Sequence, residues 1–428
     1  MQKIYIFIKQ LILIKYNQFQ LANGLHVIHH FDDSTQLCVL NMLYNVGSKH
    51  ENPDKTGFAH LFEHLMFGGS INIEEFDTVL QDASGDSNAF TSNDITNYYL
   101  TLPANNIETG FWLESDRMLS LDFSQESLDI QRNVVIEEFK ERYLNQPYGD
   151  VWLKILPLAY KVHPYNWPTI GKEISHIENT TLDDVKTFFK NFYCPNNAVL
   201  VLAGNLNLET CKALVDKWFA PIPSQNFVKP NYGQEPKQTE ARTETVYADV
   251  PLDMIVKAYH MPARIDENYF AADMLTDLLG AGKSSRFYVE LVKNKNLFSE
   301  LDAYISGDVE AGLLMIEGKL SKGVSMEAAE NAILSTLEDF KNNGVGQIEL
   351  TKIKNKSETN IRFNDMTVLN KAMKLAYAWV LGDIELVNTE ADSYLKVTET
   401  EIKNIANQIL VPTNCSTLYY LSKQNDTK

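Results

Sequence analysis

The sequence predicts an α+β protein built from two related halves. Apolar residues alternate along residues 25–30 and 37–44, as in half-buried strands, and helical patterns follow them to about Gln146. Residues 221–244 are rich in proline and polar side chains and lack a periodic apolar pattern, which is typical of a linker. One segment also recurs on both sides of that linker.

The recurring segment is a helix start followed by a Pro-x-Asn turn and an apolar strand. The first copy starts at Thr181, and an ungapped shift of 217 residues gives the second, which starts at Thr398. The residues identical at that shift are Thr181 and Thr398, Lys186 and Lys403, Pro195 and Pro412, and Asn197 and Asn414. Agreement at half the chain length indicates an internal duplication. The predicted domains are therefore residues 1–222 and 244–428, with residues 223–243 as the linker.

Composition restricts the classes of partner. The chain has 428 residues, 44% of them hydrophobic, which is ample for two cores, and its formal net charge is −18. Such acidity disfavours nucleic acids and anionic membranes, because both require a basic face. The four cysteines lack metal-knuckle or disulfide spacing, so we expect a reducing compartment and take the cytoplasm as default.

The amino terminus contains two short apolar runs, residues 4–8 and 11–14, separated by Lys9. Neither is long enough to span a bilayer, and no signal-cleavage site follows, so we expect no stable membrane insertion. An added β-strand or a misassigned start codon is favoured over a secretory signal, which leaves a periplasmic or organellar location as the alternative.

The sequence His60-Leu61-Phe62-Glu63-His64 lies on a predicted helix. Residues four apart are neighbours on a helix, so His60 and His64 can bind one metal ion while Glu63 addresses a bound water. The order His-x-x-Glu-His is that of inverted zincins. The surrounding helix is strongly apolar, and burying unpaired imidazoles would be costly, which favours a metal over a solvated face.

A catalytic zinc site needs a third protein ligand. The best candidates lie in an amphipathic stretch from about residue 124 to 146, near Glu137 and Glu138. The expected counterpart of the metal helix in the second half, residues 271–280, contains no histidine. Only the first half is therefore expected to bind zinc, one ion per chain.

Taken together, these segments resemble the pitrilysin-type inverted-zincin metallopeptidases, peptidase family M16, over nearly the whole chain. The resemblance implies that Glu138 is the third ligand, with Glu137 as the alternative, and that Gln131 supports the site where relatives often carry a glutamate. It implies that two similar domains, each a mostly antiparallel sheet packed with helices, enclose a cavity. It also implies a zinc metalloendopeptidase in which Glu63 takes the proton of a zinc-activated water and passes it to the leaving amine.

The segment Asn88-Ala89-Phe90-Thr91 resembles the family's edge strand, which binds the substrate backbone by strand addition. Read alone, it is one arm of a hairpin with a turn at Asn93-Asp94. The polar residues around it suit an exposed edge, so we expect it to bind substrate. His163 also lies in a family-like segment, but we expect a structural role there.

Two family residues are missing. In relatives an arginine and, seven residues later, a tyrosine enter the catalytic chamber from the second domain, and here Val292 and Ser299 occupy those positions. Lys293 or Lys295 is a weaker substitute, because each lies at a different angle on its helical turn. We therefore expect a heterodimer with a paralogous subunit that supplies both groups. The alternatives are an inactive structural or assembly paralogue and a subunit that processes targeting peptides.

Overall fold

The structure is a computed structural model that describes residues 13–226, 230–306 and 309–423. The predicted apolar run at residues 4–8 lies outside them, as does the start of the second run. The described residues form two compact units. The first contains residues 13–137, 169–226, 230–231 and 361–390, and the second contains residues 138–168, 232–306, 309–360 and 391–423.

The first unit contains a six-stranded sheet. Its strands are β1 (Asn17–Gln20), β2 (His26–Phe31), β3 (Leu37–Tyr44), β4 (Asp86–Thr91), β5 (Thr96–Pro103) and β6 (Ala198–Gly204). The strand order is β1-β2-β6-β3-β5-β4, with β2 and β6 parallel and the other neighbours antiparallel. The two strands predicted from alternation are thus confirmed as β2 and β3. Strand β4 lies at one edge of the sheet.

The first half of the chain also contains helices. In chain order they are α1 (Phe58–Leu65), α2 (Phe76–Asp82), α3 (Ile107–Leu119), α4 (Gln125–Phe139), α5 (Val151–Ala159), α6 (Ile174–Glu178), α7 (Leu182–Phe192) and α8 (Leu208–Trp218). All of them belong to the first unit except α5 and the last two residues of α4. A three-residue 3₁₀ turn, Ser48–His50, precedes α1 and is buried.

The second unit repeats the arrangement with five strands: β7 (Arg242–Ala248), β8 (Met254–His260), β9 (Phe298–Ile305), β10 (Leu313–Leu320) and β11 (Cys415–Ser422). Their order is β7-β11-β8-β10-β9, and only β7 and β11 are parallel. The later helices are α9 (Tyr269–Gly280), α10 (Met326–Asn343), α11 (Gln347–Asn364), α12 (Val368–Val380), α13 (Leu386–Lys396) and α14 (Glu399–Ile409). The fold is therefore α+β with two mostly antiparallel sheets, as predicted.

The duplication is visible in matching local structure. Thr181 and Thr398 each start a helix with a reciprocal capping box, in which the hydroxyl accepts the N–H of the third helical residue. The Asn197 side chain donates to the Phe192 carbonyl at 2.8 Å, and Asn414 donates to Ile409 at 3.0 Å. In both copies this turn leads into the strand that joins a parallel and an antiparallel neighbour, β6 and β11.

The compact units do not coincide with contiguous halves of the sequence. Helix α12, from the second half, packs on β3 and β6, with Ala372, Leu375 and Ala376 fully buried there. Helix α5, from the first half, packs on β7, β8 and β11 through Ile155 and Leu156. Each sequence copy therefore contributes one helix to the other unit, and the limits 222 and 244 stay a prediction about where the copies meet.

The predicted linker is extended and anchored. Of its described residues, 223–226 and 230–241 contain neither helix nor strand, whereas the last two, 242 and 243, already belong to β7. The Glu235 carboxylate accepts the backbone N–H groups of Lys161, Val162 and His163 at 2.8–2.9 Å. The buried Gln238 side chain donates to the Cys415 carbonyl at 2.9 Å. These contacts lie within the second unit and tie this part of the linker to it.

Candidate metal centre and edge strand

Helix α1 is preceded by a glycine in a backbone conformation that only glycine adopts readily. Gly57 has φ +91°, and a Cβ there would lie 2.7 Å from the Ile170 carbonyl oxygen. The Glu51 carboxylate accepts the N–H groups of Gly57 and Ala59 at 2.9 and 2.8 Å. A negative charge at this end stabilises the helix, because the first N–H groups are unpaired and the helix dipole is positive there.

The apolar face of α1 fixes the orientation of its polar residues. Leu61 and Phe62 are fully buried, and Leu65 is nearly so. The Phe62 ring packs on aromatic rings of α7 and the residue that follows it: Phe188, Phe189 and Tyr193. This packing leaves His60, Glu63 and His64 half-buried on the opposite side.

The two histidines lie next to a carboxylate of α4. The His60 and His64 ring centroids are 4.8 Å apart, with the rings nearly perpendicular. Each of His60, His64 and Glu138 offers one ligand atom, and these three atoms lie within 4.8 Å of one another. Glu138 is half-buried, whereas its neighbour Glu137 is exposed. Helical geometry turns adjacent residues about 100° apart, and here Glu138 is the one on the histidine side.

This donor set suits zinc. Imidazole nitrogen and carboxylate oxygen are both good zinc ligands, and three protein ligands leave a position for water or substrate. Among the described residues, the His60, His64 and Glu138 cluster is the group of three potential ligands close enough to share an ion. His163 lies elsewhere, in the second unit, where its Nε2 is 2.8 Å from the Glu310 carboxylate.

A cation stands beside the candidate third ligand. Arg142 Nη1 lies 3.0 Å from Glu138 Oε1, one helical turn further on, within the π-helical turn Lys140–Leu144. The Arg142 side chain is 68% exposed, so solvent screens the pair. Gln131 is half-buried on the same helix, seven residues before Glu138 and therefore on a similar face.

The candidate base Glu63 is held by the edge strand. Thr91, the last residue of β4, donates its hydroxyl hydrogen to Glu63 Oε2 at 2.6 Å. That length is typical of a hydroxyl donating to an ionised carboxylate, which is stronger than a neutral pair. The sequence suggested that Thr91 contacts substrate, and nothing in residue spacing revealed this link to Glu63.

Strand β4 presents alternate residues to opposite sides. Asp86, Asn88 and Phe90 are exposed, while Ala89 and Thr91 are half-buried. The Asn88 side-chain oxygen accepts the N–H of Ala89 at 2.8 Å. The segment predicted to bind substrate, residues 88–91, is thus part of a true sheet edge.

The turn between β4 and β5 is held by contacts with the buried 3₁₀ turn Ser48–His50. Lys49 Nζ lies 2.6 Å from Asp94 Oδ1, and the two side chains are only 7% and 4% exposed. Ser48 N–H donates to the Ser92 carbonyl, and Lys49 N–H donates to that of Asn93. The hairpin predicted around Asn93 and Asp94 is confirmed, and both backbone and side-chain contacts hold its turn.

The helix predicted as the counterpart of α1 in the second copy, α9, contains aspartates and no histidine. On α9, Asp273 and Asp277 are four residues apart, as His60 and His64 are on α1. Asp273 accepts the Tyr394 hydroxyl, and Asp277 lies 2.9 Å from Lys356 Nζ. A phenol and an ammonium group therefore satisfy these positions. That only the first copy binds zinc stays a prediction.

Val292 and Ser299 lie in the second unit. Val292 is half-buried in the π-helical turn Tyr288–Asn294, and the Ser299 hydroxyl donates to the Lys319 carbonyl at 3.1 Å. Lys293 and Lys295 are both exposed. The residues that sequence reasoning missed are Glu51 and Arg142, whose roles depend on contacts that no short motif encodes.

The fold and the site together define a class: a duplicated α+β protein with one candidate zinc centre, on the first copy. The family model "Insulinase (Peptidase family M16)" matches residues 26–171, and "Peptidase M16 inactive domain" matches residues 179–357. Zinc protease PqqE of Helicobacter pylori is 32% identical over 414 residues, which cover 95% of this chain and 93% of that protein. The chain belongs to peptidase family M16.

Solved structures agree with this placement. The crystal structure of a protease from Helicobacter pylori matches with a TM-score of 0.91 at 31% identity, covering 96% of this chain and 100% of that one. A peptidase M16 inactive domain from Pseudomonas fluorescens shares the fold with a TM-score of 0.86 at 17% identity, covering 95% and 97% of the two chains. Within the part of this chain that the structure describes, no helix combines the length and apolarity needed to cross a bilayer.

Proposed function

We propose that this chain is a zinc metalloendopeptidase that cleaves peptides or small unfolded proteins. The observation that carries the proposal is the proximity of one ligand atom each from His60, His64 and Glu138, all within 4.8 Å of one another. These three residues are proposed as the ligands of a single Zn²⁺. Relatives named zinc proteases support the choice of metal.

Glu63 is proposed as the general base and acid. Zinc in such a site supplies a Lewis acid that polarises the scissile carbonyl and makes water acidic enough to lose a proton near neutral pH. The Glu63 carboxylate takes that proton and returns it to the leaving amine. Gln131 is proposed to support the Glu138 helix face by hydrogen bonding without adding charge.

The substrate is proposed to add as a strand to β4. Only an extended backbone can pair with a sheet edge, so peptides and unfolded segments fit and folded proteins do not. Asn88, Ala89, Phe90 and Thr91 form that edge, and the substrate must displace the Asn88 oxygen from the Ala89 N–H. This exchange replaces one hydrogen bond with another, so its net cost is small.

A paralogous subunit is proposed to complete the site. Val292 and Ser299 have no guanidinium or phenol to offer a developing oxyanion, and the loss of such a donor typically costs about 10²–10³ in rate. A second copy of this chain lacks the same groups, so the partner must be a different member of the family. Nucleic acid is not proposed as a ligand, given the net charge of −18.

The cytoplasm is proposed as the compartment, with the periplasm or an organelle as the alternative. Cys38, Cys194, Cys211 and Cys415 are all buried free thiols. Burial raises the pKa of Cys38 and of Cys194 to about 11, which keeps these thiols protonated and unreactive. They therefore suit a reducing compartment, though they do not require one.

The test uses the full chain purified without added metal. Elemental analysis should find about one zinc per chain in the wild type and in Glu63→Gln, and much less in His64→Ala. An unstructured quenched peptide is then assayed with and without a pitrilysin-like paralogue. Of these three proteins, only the wild type should hydrolyse it. Near-normal hydrolysis by Glu63→Gln would refute the assigned base, and a metal-free, inert wild type in both settings would favour the inactive paralogue.

The partner is tested in the same assay. We expect the paralogue to raise the rate substantially, since it supplies the missing oxyanion donors. Full activity of the isolated chain, unchanged by the paralogue, would refute the heterodimer. Cleavage confined to amino-terminal targeting sequences would instead support the processing-subunit alternative.

A further inference from the structure

Thr91 connects two parts of the proposed machinery that are far apart in sequence. Its hydroxyl donates to Glu63 Oε2 at 2.6 Å, and its backbone is the last residue of the edge strand β4. Glu63 and Thr91 are 28 residues apart, and both side chains are half-buried in the first unit. The contact therefore joins the metal helix directly to the strand proposed to bind substrate.

The backbone that carries this hydroxyl is itself fixed. Thr91 pairs with Thr96 across the hairpin, and the buried Thr96 hydroxyl donates to the Val46 carbonyl at 2.9 Å. Just beyond the pair, the turn is held by the buried ion pair between Lys49 and Asp94. A hydroxyl on so constrained a strand end can hold its acceptor in one orientation, because little of the supporting structure can move with it.

Glu63 needs such a restraint. A glutamate side chain has several rotatable bonds and loses conformational entropy when it is held in one rotamer. The Thr91 bond engages one carboxylate oxygen, Oε2, and so restricts the directions in which the Glu63 carboxylate can face. A general base must lie within hydrogen-bond reach of the proton it takes, so this orientation matters for the rate.

We infer that Thr91 is a positioning residue that holds Glu63 in its reactive orientation and links that orientation to the edge strand. The inference rests on the proposed function, since it assigns a partner to the proposed base. It changes the role predicted for Thr91 from the sequence: the backbone of Thr91 belongs to the substrate-binding edge, while its side chain acts on Glu63.

The experiment compares Thr91→Val with Thr91→Ser. Valine keeps the shape of threonine and removes the hydroxyl, whereas serine keeps the hydroxyl and removes a methyl group. The matched control is Thr101→Val, a half-buried threonine on the same hairpin, opposite Asp86 at its other end. For each variant, zinc content, thermal midpoint, kcat and KM are measured on one unstructured peptide, with the paralogue present if the wild type needs it.

We expect Thr91→Val to lower kcat by about 10–100-fold, because small misplacements of a catalytic group can cost about 10²-fold. KM should change by less than about twofold and zinc should stay bound. Thr91→Ser should recover most of kcat, and Thr101→Val should match the wild type. If valine lowers the thermal midpoint below the assay temperature, Thr91→Ala against Thr91→Ser gives the same comparison.

Three outcomes would overturn the inference. They are an unchanged kcat in Thr91→Val, a rise in KM without loss of kcat, and a serine variant as slow as the valine variant. An unchanged kcat would mean that the Thr91 hydroxyl has no role, and a rise in KM alone would mean that it contacts substrate. A slow serine variant would mean that the methyl group matters through packing. Wild type and Glu63→Gln are assayed alongside: a normal Thr91→Val beside an inert Glu63→Gln refutes only this inference, whereas an inert wild type refutes the proposed function and this inference with it.

Discussion

The buried ion pair between Lys49 and Asp94 should be among the most sensitive points of the first unit. Its nitrogen and oxygen are 2.6 Å apart, and the side chains are only 7% and 4% exposed. Replacing Lys49 with methionine keeps the apolar stem and removes the charge, which leaves the Asp94 carboxylate buried without its cation. Breaking a buried pair in this way typically costs about 3–5 kcal/mol.

A surface pair provides the matched control. Lys217 and Glu108 are also 2.6 Å apart, but their side chains are 59% and 49% exposed. Solvent screens that attraction, so Lys217→Met should cost at most about 1 kcal/mol. For a unit of roughly this size each kcal/mol shifts the thermal midpoint by about 2–4 °C. The expected shifts are roughly 6–20 °C for Lys49→Met and at most about 4 °C for Lys217→Met.

The assay is thermal unfolding followed by circular dichroism and by calorimetry, which separates transitions of the two units. Adding Asp94→Asn to Lys49→Met should restore part of the loss, because the uncompensated charge is then gone. Equal shifts for Lys49→Met and Lys217→Met would refute the argument from burial. A double variant less stable than Lys49→Met alone would show that Asp94 stabilises the turn by other means.

Two further predictions concern the first unit. Gly57→Ala should lower both the thermal midpoint and the zinc content, because alanine at φ +91° is strained and its Cβ would lie 2.7 Å from a backbone oxygen. The control is Gly382→Ala, at φ +87° with open space around it, which measures the backbone strain without the close contact. Equal effects of the two substitutions would contradict the steric argument. Burial raises the pKa of Asp32, but hydrogen bonds from Lys371 and Ser34 outweigh it and lower the pKa to about 2, so this carboxylate stabilises the fold above about pH 4 and that stabilisation is lost as the pH falls toward 2. The midpoint gap between wild type and Lys371→Met should therefore be largest near pH 5–7 and shrink below pH 4, and a constant gap down to pH 2 would contradict this reasoning.

The sequence by itself determined the features that depend on local spacing. Helical periodicity places His60, Glu63 and His64 on one side of α1 whatever surrounds it. The reciprocal caps at Thr181 and Thr398 follow from the residue three positions later, so the duplicated helices could be predicted with their starts. Alternation likewise predicted β2 and β3, and turn residues predicted the hairpin that begins with the edge strand β4.

Only the tertiary structure decided which distant groups meet. Local sequence rules do not distinguish Glu137 from Glu138, and it is the packing of α4 that turns Glu138 toward the histidines. The Thr91 hydroxyl reaches Glu63, and Glu51 caps α1, through contacts between separate segments. The tertiary structure also decided that α5 and α12 each pack in the unit of the other sequence copy. An apolar helix face does not indicate which of two similar sheets will bury it, because burial depends on area and shape and not on sequence position.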